Sequence, residues 1–243
     1  MKARIIFQLL VPAIILAGTS AHAGSVTWVT PPGSMNAGNP VDAQAVFTFS
    51  GNVLTIMLTN LEPNPSDVAQ CVSALIFETA TALGSQNSYT SSGLERTVNS
   101  GGTFTDNPTA VSTGWVLSNP SGSILALDVL VGPGHAGPAH TLIGEPGGPT
   151  YSAAGGSIAG NGPHNPFLHD TPTFTLNFTG FTSDTVITAV RFQFGTTDSV
   201  DHQIPGVPQM VPEPSSFVLI GMGLIGLGGW RLRTRLRTFA KAA

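Results

Sequence analysis

Apolar and polar residues alternate along much of the middle of this chain, at the two-residue period of a strand with one buried face. Residues 174–178 show it cleanly: Phe174, Leu176 and Phe178 fall on one face, Thr175 and Asn177 on the other. Residues 45–50 carry Val46, Phe47 and Phe49, and residues 52–60 answer them with Val53, Leu54, Ile56 and Leu58. The step between, Ser50-Gly51-Asn52, is a hairpin signal. Residues 25–30, 103–104, 114–117, 124–131 and 186–194 are further strand candidates. Residues 68–78 suit a strand or a short helix, and Ile76 and Phe77 favour a strand at the 74–78 end. A sustained 3.6-residue period is absent from the body. Many short strands set among Gly, Ser and Thr turns predict an all-β fold, a β-sandwich or jelly roll.

Residues 132–172 break the pattern. They hold Gly, Pro, His, Ala and Asn, few large apolar residues, and four of the six histidines. The expectation is a long functional or mobile loop with a hairpin near residues 151–158.

The two ends follow other rules. Lys2 and Arg4 precede an apolar stretch over residues 5–17, and Ala21-His22-Ala23 is a small-x-small cleavage site. This predicts a signal helix in residues 1–23, removed to leave Gly24 as the first residue. At the other end stands Val211-Pro212-Glu213-Pro214. Its two prolines fix φ, lack N–H groups and push the residues before them to extended backbone. Ser215 or Ser216 can cap the helix that follows. As a helix, residues 215–230 span roughly 24 Å, short of a bilayer core of ~30 Å. Trp230 lies at the expected interface, and the stems of Arg231, Arg233, Arg235 and Arg237 can snorkel. These arginines act as a membrane stop and place the C-terminus in the cytoplasm, with the body outside. Three parts result: a signal peptide in 1–23, an exported domain in 24–210 and a sorting segment in 211–243. The GxGxxG string at residues 221–226 lacks the flanking strand and βαβ unit of a dinucleotide site, and reads as membrane-helix glycine.

Charge sharpens the division. Residues 24–210 contain two basic residues, Arg96 and Arg191, no lysine and twelve acids, a net charge of −10. Phosphate backbones need a basic surface, so nucleic acid is excluded as a partner. Cys71 is the sole cysteine, so no internal disulfide forms, and its apolar neighbours predict burial.

Candidate chemistry in the body is weak. His135 and His140 are five apart, as are His164 and His169, and Asp170 follows. Imidazoles with a carboxylate can ligate a transition metal, but this spacing on an irregular loop fits no pre-positioned site. No cofactor is expected. Asp184, Asp198 and Asp201 lack the calcium-loop pattern. Glu145 and Asp170 carry almost no signal as a glycosidase pair. Trp28, Tyr89, Trp115 and Tyr151 can line a sugar groove or serve as core.

Pro-Glu-Pro, an apolar span and an arginine tail, in that order at the C-terminus, resemble the PEP-CTERM sorting domain of exported proteins of Gram-negative bacteria. The resemblance implies that Val211, Pro212, Glu213 and Pro214 form a motif read by exosortase, an integral-membrane enzyme. It also implies a Sec translocon and signal peptidase acting at Ala21 and Ala23, a transient inner-membrane anchor, and delivery to the cell surface or outside. Many such proteins come from bacteria that make exopolysaccharide or biofilm. The body, at residues 165–168, 174–178 and 194–196, loosely resembles the β-rich domains often joined to this tail. The leading expectation is a non-enzymatic surface or matrix protein. A polysaccharide-binding module is the alternative, favoured by exposed aromatics in a row on one sheet face, and a secreted hydrolase ranks last.

Overall fold

The computed structural model describes residues 24–118 and 122–209. The expected signal helix and transmembrane helix lie outside these residues, as do Ala21, Ala23, the Val211–Pro214 motif and the four arginines that follow the apolar span. Among the described residues no helix is long and apolar enough to cross a membrane.

Among the described residues fourteen strands build the body: β1 (Gly24–Val29), β2 (Met35–Asn36), β3 (Asn39–Pro40), β4 (Ala43–Ser50), β5 (Val53–Asn60), β6 (Val72–Thr79), β7 (Gln86–Val98), β8 (Phe104–Val111), β9 (Val116–Ser118), β10 (Ile124–Asp128), β11 (Phe167–Phe178), β12 (Ile187–Phe194), β13 (Gln203–Pro205) and β14 (Val207–Gln209). A seven-stranded sheet runs β14-β1-β4-β5-β11-β7-β8, a five-stranded sheet runs β13-β12-β6-β10-β9, and β2 pairs with β3. The fold is all-β, as the alternation predicts.

One large buried cluster joins the two sheets. Phe47 and Phe49 of β4, Leu54, Ile56 and Leu58 of β5, and Phe174, Leu176 and Phe178 of β11 meet Leu75 and Phe77 of β6, Leu125 and Leu127 of β10, and Phe192 and Phe194 of β12. Phe47 and Phe77 cross edge to face, with centroids 5.2 Å apart, a geometry favoured by the ring quadrupole. The β4–β5 hairpin forms where expected, and Gly51 at its turn takes φ +56°.

Four expectations change. Strand β7, thirteen residues long, has no counterpart in the sequence reading. Its first half, Gln86-Asn87-Ser88-Tyr89-Thr90-Ser91-Ser92, buries little, so the hydrophobic pattern is silent. The strand exists because β11 and β8 supply ladders on both sides. Strand β8 extends well beyond residues 103–104 and carries Pro108, tolerated because it is an edge strand. Strand β10 stops at Asp128, whose Oδ1 accepts the N–H groups of Leu130 (2.6 Å) and Val131 (3.1 Å) and turns the chain.

The fourth change concerns residues 132–172. Strand β11 begins at Phe167, inside that range, and residues 151–158 form turns rather than a hairpin. The segment is packed, not peripheral. Ile143, Tyr151 and Ile158 enter a second buried cluster with Val68, Cys71, Val98 and Phe167. Gly102 at φ +81° lets the chains approach, because a Cβ there would collide with the Tyr151 carbonyl. Cys71 is fully buried, which pushes its thiol pKa up.

The end of the body straps the two sheets together. Strand β13 pairs with β12 through Arg191 and Pro205, and β14 pairs with β1 through Val29 and Val207. Gly206 makes the crossing and donates its N–H to the Val190 carbonyl at 2.8 Å.

Candidate functional site

The densest polar constellation surrounds Arg96, whose side chain is 5% exposed. Register assembles it. Arg96 of β7 lies opposite Asp106 of β8 on one side and Phe167 of β11 on the other. Asp106 receives a bidentate grip, from Nε to Oδ1 at 2.6 Å and from Nη2 to Oδ2 at 2.9 Å. Nη1 donates to Glu145 Oε2 at 2.6 Å and to the Tyr151 hydroxyl at 3.0 Å. The guanidinium also stacks over Phe104, 4.1 Å from the ring centroid. Four of its five N–H donors are engaged, as burying this cation demands.

A bulge in β11 brings in the rest. The β11–β7 register shifts between His169 and Thr173, and Asp170 takes φ +60°. His169 Nδ1 lies 3.3 Å from Glu145 Oε1, which also accepts the Asp170 N–H at 3.2 Å. His169 Nε2 is buried, unpaired and 3.8 Å from Asp106 Oδ1. The hydrogen bond from His169, then Arg96, holds the Glu145 carboxyl down to about 2. Arg96 does the same in direction for Asp106. Burial pushes the Tyr151 hydroxyl upward, and that hydroxyl donates to the Gly144 carbonyl at 2.9 Å.

The histidines expected as weak metal candidates are dispersed. His135 is exposed. His140 sits at φ +61°, with Nδ1 2.9 Å from the Thr113 carbonyl oxygen and Nε2 3.0 Å from Glu95 Oε1. His164 Nδ1 lies 2.6 Å from the Ser157 carbonyl oxygen. His169 and Asp170 adjoin Glu145 instead of the other imidazoles. Among the described residues no three His, Cys, Asp or Glu side chains stand where they can share a metal ion.

The aromatic candidates point inward. Trp28, Trp115 and Tyr151 are buried, and Tyr89 is half-buried with its hydroxyl donated to the Trp115 carbonyl. The large exposed apolar side chains of the described residues are Met, Leu and Val. Tyr89 and Trp115 do border a crevice of about 320 Å³, with Asp128 and Val131. A smaller one, about 180 Å³, opens beside His169 and Asp170.

A histidine oriented by a carboxylate is half of a nucleophile-activating arrangement. Here no hydroxyl or thiol among the described residues is hydrogen-bonded to the His169 ring, and Glu145 is committed to Arg96. What the constellation does is fasten. One cation ties the edge hairpin, the long loop and the bulged strand together. Sequence reasoning missed Arg96, Asp106 and Tyr151 as partners. The available signal was scarcity: a lone guanidinium between Leu94 and Val98 on one strand face, in a body with twelve acids.

The C-terminal segment gives a different kind of evidence. Residues 211–233 match the family model of the PEP-CTERM protein-sorting motif. The match takes in Val211 to Pro214, Arg231 and Arg233, and begins two residues after β14. It marks an exported protein with a C-terminal sorting signal. No curated protein and no solved structure matches the chain.

Proposed function

We propose that this chain, which ends in the PEP-CTERM sorting motif, is a non-enzymatic exported protein of the cell surface or extracellular matrix, released from a membrane anchor by exosortase. The observation that carries the reading is the motif at residues 211–233, placed directly after the last strand of a packed β body. The Sec translocon delivers the chain and signal peptidase cuts after Ala23. The apolar span then holds the body outside the inner membrane, with Arg231, Arg233, Arg235 and Arg237 on the cytoplasmic side. Exosortase reads Val211 to Pro214.

The composition of the body suits that destination. Arg96 is buried, so Arg191 is its one exposed arginine, set against twelve acids. Such a surface keeps the body soluble and repels anionic polymers at close range. A polysaccharide partner would have to enter by hydroxyl contacts in the Tyr89–Trp115 crevice, because the aromatic side chains offer no open stacking row.

Glu213→Ala in the native host tests the reading. The expected result is a larger, membrane-retained species, with intact mass showing the whole tail still attached. Equal release of variant and wild type overturns it.

A further inference from the structure

Charge is distributed unevenly along the strands. Register locates one end of the body. Gly24 opens β1 opposite Phe49, the β4–β5 hairpin turns between Ser50 and Val53, and Phe178 closes β11 opposite Gln86. In the other sheet Thr79 stands opposite Ile187, and Glu78 opposite Ile124. Backbone bonds tie the loops at this end together. The Gly84 N–H donates to the Thr179 carbonyl at 2.8 Å, and the Ala80 N–H to the Val186 carbonyl at 3.0 Å.

Of the twelve acids in residues 24–210, two lie here: Glu78 near the close of β6 and Asp184 in the loop before β12. The other ten lie toward the opposite end. Asp42, Glu62, Asp67, Glu145, Asp198 and Asp201 stand in its loops. Asp128 closes β10, and Glu95, Asp106 and Asp170 sit near that end of β7, β8 and β11. The tips of the acid-poor end include Asn52, Thr81, Ala82, Ser85, Gln86 and Thr182, all exposed and uncharged.

The body also meets its terminal segments on this side. Gly24 directly follows the expected signal segment. Strand β14 runs from Val207, opposite Val29, to Gln209, opposite Thr27, and so heads toward the same end. Length gives the asymmetry its weight. The thirteen residues of β7 span roughly 40 Å at the rise of a strand, whereas fields in physiological salt fade over about 8 Å. With the acid-poor end toward an anionic surface, the ten acids stand beyond the reach of its field. Inverted, they stand within it and are repelled.

We propose that the acid-poor end is the surface this body turns toward anionic lipid headgroups while its sorting signal is anchored, and that charge selects the orientation. The inference rests on the membrane-anchored reading given above. Amide and hydroxyl side chains then meet the headgroups, and the long loop with the Arg96 constellation faces away from the membrane.

The test uses the full-length chain in vesicles of phosphatidylglycerol and phosphatidylethanolamine. The natural Cys71 is fully buried, so a single introduced cysteine carries the fluorophore. Ala82→Cys marks the acid-poor end and Ala153→Cys the other, both at exposed positions. A quencher attached to the lipid headgroups should quench the label at 82 about threefold more than the label at 153. Equal quenching in a chain that sediments with the vesicles overturns the proposal and leaves the anchor standing. A chain that stays in the supernatant overturns both. The second measurement adds Asn52→Asp and Gln86→Glu, near-isosteric changes at exposed positions, to each labelled chain. The contrast between the two labels should shrink, and it should shrink likewise when the unaltered body is placed in phosphatidylcholine vesicles. An unchanged contrast in either case overturns the proposal, because orientation would then owe nothing to charge. A contrast that appears only at high protein-to-lipid ratio assigns the acid-poor end to a second copy, and it also overturns the proposal.

Discussion

The two buried clusters of this body are held by different physics. Between the sheets, Phe47, Phe77, Leu127, Phe174 and Phe192 interlock with almost no polar atoms among them. Each reaches the interior because its strand alternates. Under the long loop, Ile143, Tyr151, Ile158 and Phe167 form a smaller cluster, beside which lies a buried guanidinium with two carboxylates, a hydroxyl and an imidazole. Glycine-rich chain cannot bury much apolar area per residue, so this region draws on directed bonds. The sheet core is tolerant of chemistry and strict about volume, whereas the loop core depends on a few partners being present.

Substitutions can pull the two apart. Phe47→Ala opens a cavity in the sheet core and should cost about 4 kcal/mol, lowering the midpoint of urea unfolding for the whole body. Arg96→Ala leaves Asp106 and Glu145 without their cation and Phe104 without its cap. Those carboxylates, 37% and 53% exposed, recover some hydration, so a loss of about 3 kcal/mol is expected, at the low end for a broken buried pair. Hydrogen exchange should reveal its character. Amides of residues 141–168 should lose protection before those of β4 and β5 do, and a uniform loss would show that the loop core does not open separately. Tyr151→Phe removes one hydroxyl from the same network and should cost about 1 kcal/mol, read on the same urea curve. The smallest effect is that of acid. Glu145 is depressed from 4.5 to about 2 in the folded protein, so its contribution is complete above its unfolded value and fades as pH falls from about 4.5 to 2. Asp106, also depressed, adds to the same loss. Glu145→Gln should flatten that part of the stability profile, and an unchanged slope would remove Glu145 from the account.

What could be read in advance follows the same boundary. Strands β4, β5, β12 and the second half of β11 announce themselves because one face of each is buried and the other is not. Strand β7 does not, since Ser88, Thr90 and Ser92 alternate with residues nearly as polar, and its pairing is decided by β11 and β8. The loop core was illegible for another reason. Arg96, Asp106, Glu145 and His169 are brought together by register and by a bulge, and neither is written in local periodicity. The histidines at 135, 140, 164 and 169, whose spacing fits no pre-positioned site, each answer a nearby carbonyl, carboxylate or solvent. The sorting motif, a linear signal that needs no tertiary partner to be recognised, was the most legible feature of all.

Three of the four strands that end the two larger sheets carry a proline: Pro108 in β8, Pro205 in β13 and Pro208 in β14. Each removes a donor from a margin where a neighbouring molecule would otherwise add a strand. Copies of the body can therefore lie side by side at these margins without templating one another into fibres.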